Sequence, residues 1–234
     1  MDTRTRHALK KDKFAQAAAS GASWLSGHRS GVARWAIAAG VVVVLVIGSL
    51  IFWNVRSAAA DSALGAALDT YNAPLAEPGA PPESGVYATS AERAKDANKQ
   101  FVAVSQKYGW LSQAAEAHYF AGVTYQDLGQ TAAAEKELKQ AAGSWNRNLS
   151  NLAKLALAGL YQQTGRNAQA VDIYNEIVAK PSDTVPATTA QLDLADLYAA
   201  DGKQEQARAL WAKVRDADKE GQAGAIAAQR LGAK

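Results

Sequence analysis

The longest apolar run in the chain is Trp35–Trp53, and no charged side chain stands between Trp35 and Val55. As one helix, those 21 residues would measure about 30 Å, the thickness of a bilayer's hydrocarbon core. Arg34 and Arg56 bracket the run, and Trp35 and Trp53 stand where an interfacial aromatic belt would lie. A buried core helix is the other reading, but 19 residues with no polar face exceed what a small domain normally hides. The pattern predicts a transmembrane helix over residues 35–55. Beyond it the pattern becomes amphipathic, with apolar positions three and four apart, so the rest reads as helices. Ala58 to Tyr71 is the first of these, continuing out of the membrane. Residues 73–89 hold Pro74, Pro78, Pro81, Pro82, Gly79 and Gly85 and are expected to form a loop. Ala97, Phe101 and Val104 then mark a second helix face.

From residue 111 the pattern repeats. Tyr125, Tyr161 and Tyr198 are separated by 36 and 37 residues. Three positions before each tyrosine stands a small residue: Gly122, Ala158, Ala195. Four positions after it stands a glycine: Gly129, Gly165, Gly202. Five further comes alanine (Ala134, Ala170, Ala207), and four beyond that a large residue (Leu138, Tyr174, Trp211). Mechanically this describes a helix hairpin. The small residue lets two helices approach, the tyrosine packs across the pair, and the glycine ends the first helix in a left-handed conformation. The pattern resembles the tetratricopeptide repeat (TPR), whose usual period is about 34 residues. The tryptophan usual near the start of such repeats is replaced by His118, Lys154 and Gln191.

The expected fold is therefore all-α, one N-terminal transmembrane helix followed by a TPR-like α-solenoid of helix hairpins. Its expected divisions are a basic leader over 1–34, the span over 35–55, and a degenerate first helix pair over 56–110. Three repeats follow over 111–221, at about 115–148, 151–184 and 188–221. A cap over 222–234 closes the solenoid, as such arrays require.

Composition and charge refine this picture. Alanine fills 53 of 234 positions, which suits helices packed closely through small side chains. There is no cysteine, which excludes disulfides, thiolate metal sites and a lipid-modified cysteine. The net charge of +3 is unevenly placed. Residues 1–34 carry seven Lys and Arg against Asp2 and Asp12. After Arg56 the next basic residue is Arg93, and 57–234 carries 17 basic and 20 acidic groups. A nucleic-acid partner is not indicated, because the basic excess sits beside the apolar run. By the positive-inside rule the N-terminus is cytoplasmic and the repeats lie across the membrane, periplasmic or extracytoplasmic. His7 to Ser20 could lie on an anionic leaflet as an amphipathic helix, or serve as a topology-setting leader. Ala58–Ala60 before Asp61 offers a signal-peptidase site, but the apolar run and the leader are both long for a cleaved signal.

Enzymatic chemistry finds little material. The three histidines are His7 and His28 in the leader and His118 alone in a repeat. No phosphate-binding glycine loop occurs, and Ser105 and Ser112 lie in no nucleophile-elbow motif. Asp193 and Asp196 share one helix face and read first as a solvated pair. Asn148-Leu149-Ser150 is a formal glycosylation sequon and is read as a turn between repeats. No enzyme activity, cofactor or metal is expected.

The TPR resemblance instead implies a peptide groove lined by the first helix of each repeat. Mapped onto this sequence, its candidates are Tyr119, Val123, Gln126, Leu155, Gln162, Leu192 and Asp196. The lysine, arginine and asparagine of carboxylate-clamping TPR grooves are absent there, and Tyr119, Val123, Leu155 and Leu192 suit an apolar peptide. Equally, some of these side chains could pack against flanking helices.

The whole layout is a basic leader with Leu9-Lys10-Lys11-Asp12-Lys13, one span, and a divergent alanine-rich repeat array. It resembles the bacterial ancillary Sec-translocon subunit family of single-span proteins with a periplasmic TPR-like domain. That resemblance implies a scaffold or chaperone partner at the protein-export machinery of the inner membrane. The implied partners are the Sec translocon and periplasmic chaperones, met beside the inner membrane that residues 35–55 enter. The alternative is a TPR scaffold of another envelope assembly, in cytochrome maturation, outer-membrane protein insertion or cell division.

Overall fold

Residues 29–77 and 85–232 are described by a computed structural model. Most of the basic leader, with His7, His28 and the segment His7 to Ser20, lies outside the described residues, as does 78–84 of the Pro/Gly-rich stretch. Among the described residues the secondary structure is nine helices and no strand, with a single isolated bridge between Leu75 and Tyr87. The helices are α1 (Arg29–Tyr71), α2 (Ser90–Lys107), α3 (Ser112–Asp127), α4 (Thr131–Ala142), α5 (Arg147–Gln163), α6 (Asn167–Ala179), α7 (Ala187–Ala200), α8 (Gln204–Ala217) and α9 (Gln222–Gly232). The chain divides into two compact units at Val55 and Arg56.

In the first unit, α1 is apolar all round. Val41, Val44, Leu45 and Ile51 are 53–69 % exposed. The helix is long and apolar enough to cross a membrane.

In the second unit, α1 continues from Arg56 and changes character. Ala60, Leu64 and Ala67 are buried with Ala97, Phe101 and Val104 of α2 and Ala117 and Ala121 of α3. Thr89 caps α2, its hydroxyl accepting the Glu92 amide at 3.1 Å. Thereafter each helix packs on its neighbour in sequence, and α3 also meets α5, and α7 meets α9. That is the connectivity of a solenoid. Its centre is a cluster from α4 to α7 around Leu138, Leu157, Tyr161, Tyr174 and Ile177, and its end a cluster of Trp211, Val214 and Ala227.

The repeat positions are spatially equivalent. Gly129, Gly165 and Gly202 have φ of 69°, 70° and 76°. The amide following each glycine bonds to the repeat tyrosine's carbonyl at 2.8 Å (Gln130 to Tyr125, Arg166 to Tyr161, Lys203 to Tyr198). Each glycine amide bonds the next carbonyl along, at 2.9, 3.0 and 3.1 Å. This is the Schellman closure, and only glycine takes its left-handed position without steric cost. Ala134, Ala170 and Ala207 are 0 % exposed, and Leu138, Tyr174 and Trp211 at most 6 %.

One expectation is corrected. Asn148-Leu149-Ser150 is not the turn between repeats but the first turn of α5. The turn is Gly143–Asn146, and Asn146 is the cap, its side-chain oxygen accepting the amides of Asn148 and Leu149 at 3.0 and 3.4 Å. Such a cap satisfies helix-end amides that the helix leaves unpaired.

Between the first two complete repeats, Glu135 of α4 is a hub. It accepts from Arg166 at 2.6 Å, Lys139 at 2.7 Å and the Tyr161 hydroxyl at 3.1 Å. The Arg166 guanidinium also stacks 4.3 Å from the Tyr161 ring centroid. Hydrogen bonds from Lys139 and Arg166 hold the Glu135 carboxyl down at about 2.

Two outcomes follow from this packing. A Cβ at Gly122 would meet Leu138 Cγ at 2.6 Å and its backbone nitrogen at 3.2 Å, whereas nothing lies within 4 Å of one at Gly159. Overpacking at ~1–3 kcal/mol outweighs the ~0.5–1 kcal/mol gained by replacing a helical glycine. Gly122→Ala should therefore destabilise by about 1 kcal/mol and Gly159→Ala stabilise by about 0.5 kcal/mol in denaturant melts. Glu135→Gln should cost about 1 kcal/mol at neutral pH. Because the folded Glu135 pKa is depressed, its stabilisation exists above the unfolded value near ~4.3 and vanishes as pH falls toward ~2. Stability curves of wild type and Glu135→Gln should converge across that window.

Candidate functional site

The first helices of the three repeats, α3, α5 and α7, carry all seven groove candidates. Tyr119 and Leu155 are both half-buried against the central cluster. Tyr119 also ends an aromatic row. Its ring meets Phe120 edge-on at 5.1 Å, Phe120 stacks on Phe101 at 5.2 Å, and Tyr71 packs 6.3 Å from both. Burial pushes the Tyr119 phenol above its usual pKa, with the Tyr71 phenol adding to it. Val123 and Gln126 are half-buried further along α3. Position fixes these side chains through helix spacing: 119, 123 and 126 are four and three apart, hence on one face.

The C-terminal candidates lie differently. Leu192 is 7 % exposed and packs with Trp211, Ala195 and Ala227, so its surface belongs to the fold rather than to an open groove. Asp196 accepts the Trp211 indole N–H at 2.9 Å and the Arg230 guanidinium at 3.3 Å, tying α7 to α8 and α9. The Gln162 amide donates to the Tyr174 hydroxyl at 2.8 Å.

Two participants escaped the sequence reading. Tyr174 rises from α6 between α5 and α7, and burial first, then the charges of Asp193 and Asp196, push its phenol pKa up. Asp193 is half-buried, not a freely solvated carboxylate. Burial, and secondarily the charge of Asp196, raises it to about 6. Three apart on α7, these carboxylates stood out only as a pair. What buries them comes from other helices, and no local spacing signals that.

The positions of the missing tryptophans are also filled polar. His118 on α3 contacts Glu137 on α4, and Lys154 on α5 pairs with Glu176 on α6 at 2.8 Å. Gln191 is buried. Each of the first two contacts joins the two helices of one repeat. Among the described residues no group of three or more His, Cys, Asp or Glu is placed to hold a metal ion. The candidate side chains on α3 and α5 are aromatic, aliphatic and amide, and offer packing and hydrogen bonding.

A tetratricopeptide-repeat family model matches residues 115–144, the first complete repeat. No curated protein matches the sequence. Among solved structures, the chain is similar to a Podosopora anserina putative kinesin light chain with nearly identical TPR-like repeats. The identity is 19 %, the TM-score 0.50, and the alignment covers 60 % of this chain and 76 % of that one. A crystal structure of a point variant of that same protein gives 17 % identity with the same TM-score and coverage. These likenesses show a TPR-like all-helical fold, a fold that typically serves as a protein-interaction scaffold.

Asp193 supplies a test of this local electrostatics. Its folded pKa is raised, so the ionised form opposes folding. Stability attributable to it is present below ~4 and lost as pH rises through about 6. Asp193→Asn should therefore raise the melting temperature at pH 7.5 by about 2–4 °C, and the difference should disappear below pH ~4. Melts across pH by circular dichroism would check it.

Proposed function

We propose that this TPR-containing chain is a membrane-anchored interaction protein, an ancillary scaffold or chaperone partner at the protein-export machinery of the bacterial inner membrane. Residues 35–55 anchor it, the basic leader stays in the cytoplasm, and the repeats work on the periplasmic side. The observation that carries this reading is α1 itself. One uninterrupted helix, Arg29–Tyr71, first exposes its apolar surface and then, from Ala60, buries its alanines and Leu64 in the first helix pair. Tethering of this kind raises the effective concentration of an interaction surface near one membrane site. The charge step across the span supports the orientation.

The peptide surface proposed is the face of α3 and α5 that presents Tyr119, Val123, Gln126, Leu155 and Gln162. Tyr119 and Leu155 would give apolar anchorage to an unfolded segment, and Gln126 and Gln162 main-chain hydrogen bonds. A helical repeat array suits varied polypeptides because the surface recurs while its side chains differ.

Photo-crosslinking in living cells tests this. A crosslinker at Tyr119 or Leu155 should capture subunits of the export channel, periplasmic chaperones or exported chains, well above the yield from Lys213, exposed on α8. Equal yields at all three positions, or capture of cytoplasmic proteins alone, would count against it. Reporter fusions at residues 60 and 234 should be active only with a periplasmic reporter.

A further inference from the structure

Where α1 and α3 end and α2 begins, the second unit holds a cavity of about 300 Å³. It is lined by Tyr71, the last residue of α1, by Asp127, the last of α3, and by Ser90, Arg93 and Ala94 from the start of α2. The Arg93 guanidinium gives one N–H to the Ala73 carbonyl at 2.9 Å and lies 5.9 Å from the Tyr71 ring centroid. Its Nε is buried without a hydrogen-bond partner. Arg93 is near enough for its charge to act on Asp127, and the Tyr71 phenol interacts with the same carboxylate, yet partial burial outweighs both and raises the Asp127 pKa. No ion pair joins Arg93 to Asp127, so two opposite charges line one cavity without neutralising each other directly.

This lining selects against simple ions. A lone anion would meet Asp127, and a lone cation would meet Arg93. A group that accepts on one side and donates on the other satisfies both. The trans peptide unit is such a group, with its C=O and N–H pointing in opposite directions, and every non-proline residue of an unfolded chain carries one. The volume stands at the low end of ligand pockets, with room for a short stretch of chain and not for a folded element. The cavity also continues the proposed peptide surface. Asp127 follows Gln126 and stands one turn beyond Val123 on the same face of α3. Tyr71 packs 6.3 Å from Phe120, whose ring meets Tyr119.

We propose that this cavity clamps the main chain of an extended polypeptide, with Arg93 donating to a peptide carbonyl and Asp127 accepting from a peptide N–H. Both are charge-assisted hydrogen bonds, the stronger kind. The proposal rests on the reading of the α3 and α5 face as a peptide surface. Its consequence is a contact that ignores side-chain identity, beside Tyr119 and Leu155, which take apolar side chains. One repeat array then holds segments of many different sequences.

Fluorescence anisotropy of the full-length chain in mild detergent tests this with two probes. One is a fluorescein-labelled, end-capped peptide of repeating Leu-Ser-Gly; the other is the same peptide methylated at every backbone nitrogen. Side chains and carbonyls are common to both, and only the N–H donors differ. The unmethylated peptide should bind at least about five-fold tighter. D127A should remove that preference by weakening the unmethylated peptide alone, R93A should weaken both peptides, and Y119A should also weaken both. Equal affinity of the unmodified chain for the two peptides would overturn the clamp, whether or not the variants fold. If Y119A still weakens both in that case, the peptide surface stands without the clamp. A preference that persists in D127A with an unchanged melting curve would also overturn it. Recovery of the methylated peptide's affinity on placing one glutamine in it would overturn the main-chain assignment in favour of a side-chain amide. Binding of neither peptide would overturn the peptide surface itself.

Discussion

The structure depends on one backbone closure made three times. In each repeat a glycine in the left-handed region lets the following amide reach back to the tyrosine's carbonyl. The turn that results sends the next helix back along the first. Once that reversal is fixed, the alanine five residues after the glycine and the large side chain four beyond it must face the first helix. Gly122, Ala158 and Ala195 are then small because the returning helix occupies the space where a side chain would go. Length, spacing and residue size in the repeats thus follow from a hydrogen-bond geometry that one residue type permits at little cost.

Joining the repeats needs less specific chemistry. Alanines fill the seams, so neighbouring helices approach closely over small, nearly flat surfaces, and dispersion and burial do the work. Specificity enters through a few polar ties: Glu135 to Arg166 and Tyr161, Gln113 to Ser57 and Asp61, Asn98 to Thr124. Each joins elements on either side of a seam. A shifted register would leave these groups buried and unpaired, which costs more than the bonds contribute.

The fold was legible because its signals are periodic. A tyrosine and a glycine four apart mean little once, but at intervals of 36 and 37 residues they define a hairpin and its closure. Within α1, exposed apolar residues up to Val55 give way to the buried Ala60, Leu64 and Ala67. What escaped depends on residues brought in from elsewhere. Leu192 occupies a groove position by count, yet Trp211 and Ala227 cover it because α8 and α9 fold onto α7. Asp196 shares that position and is spoken for by Trp211 and Arg230. Asp193 read as solvated, yet the folded chain half-buries it. Asn148 was misplaced because two asparagines compete for one cap, and the choice turns on which backbone amides are left free. Tyr119 and Leu155 are partly buried against the central cluster, and Leu192 lies in the cluster that α9 helps to form.

The central claim is that an inner-membrane anchor holds a peptide-binding repeat array beside the export machinery. Affinity purification of the full-length chain from membranes in mild detergent, quantified against a mock purification, addresses it most directly. The account predicts enrichment of export-channel subunits and periplasmic chaperones. Recovery of the chain from the soluble fraction, or from membranes without any component of an export pathway, would contradict it.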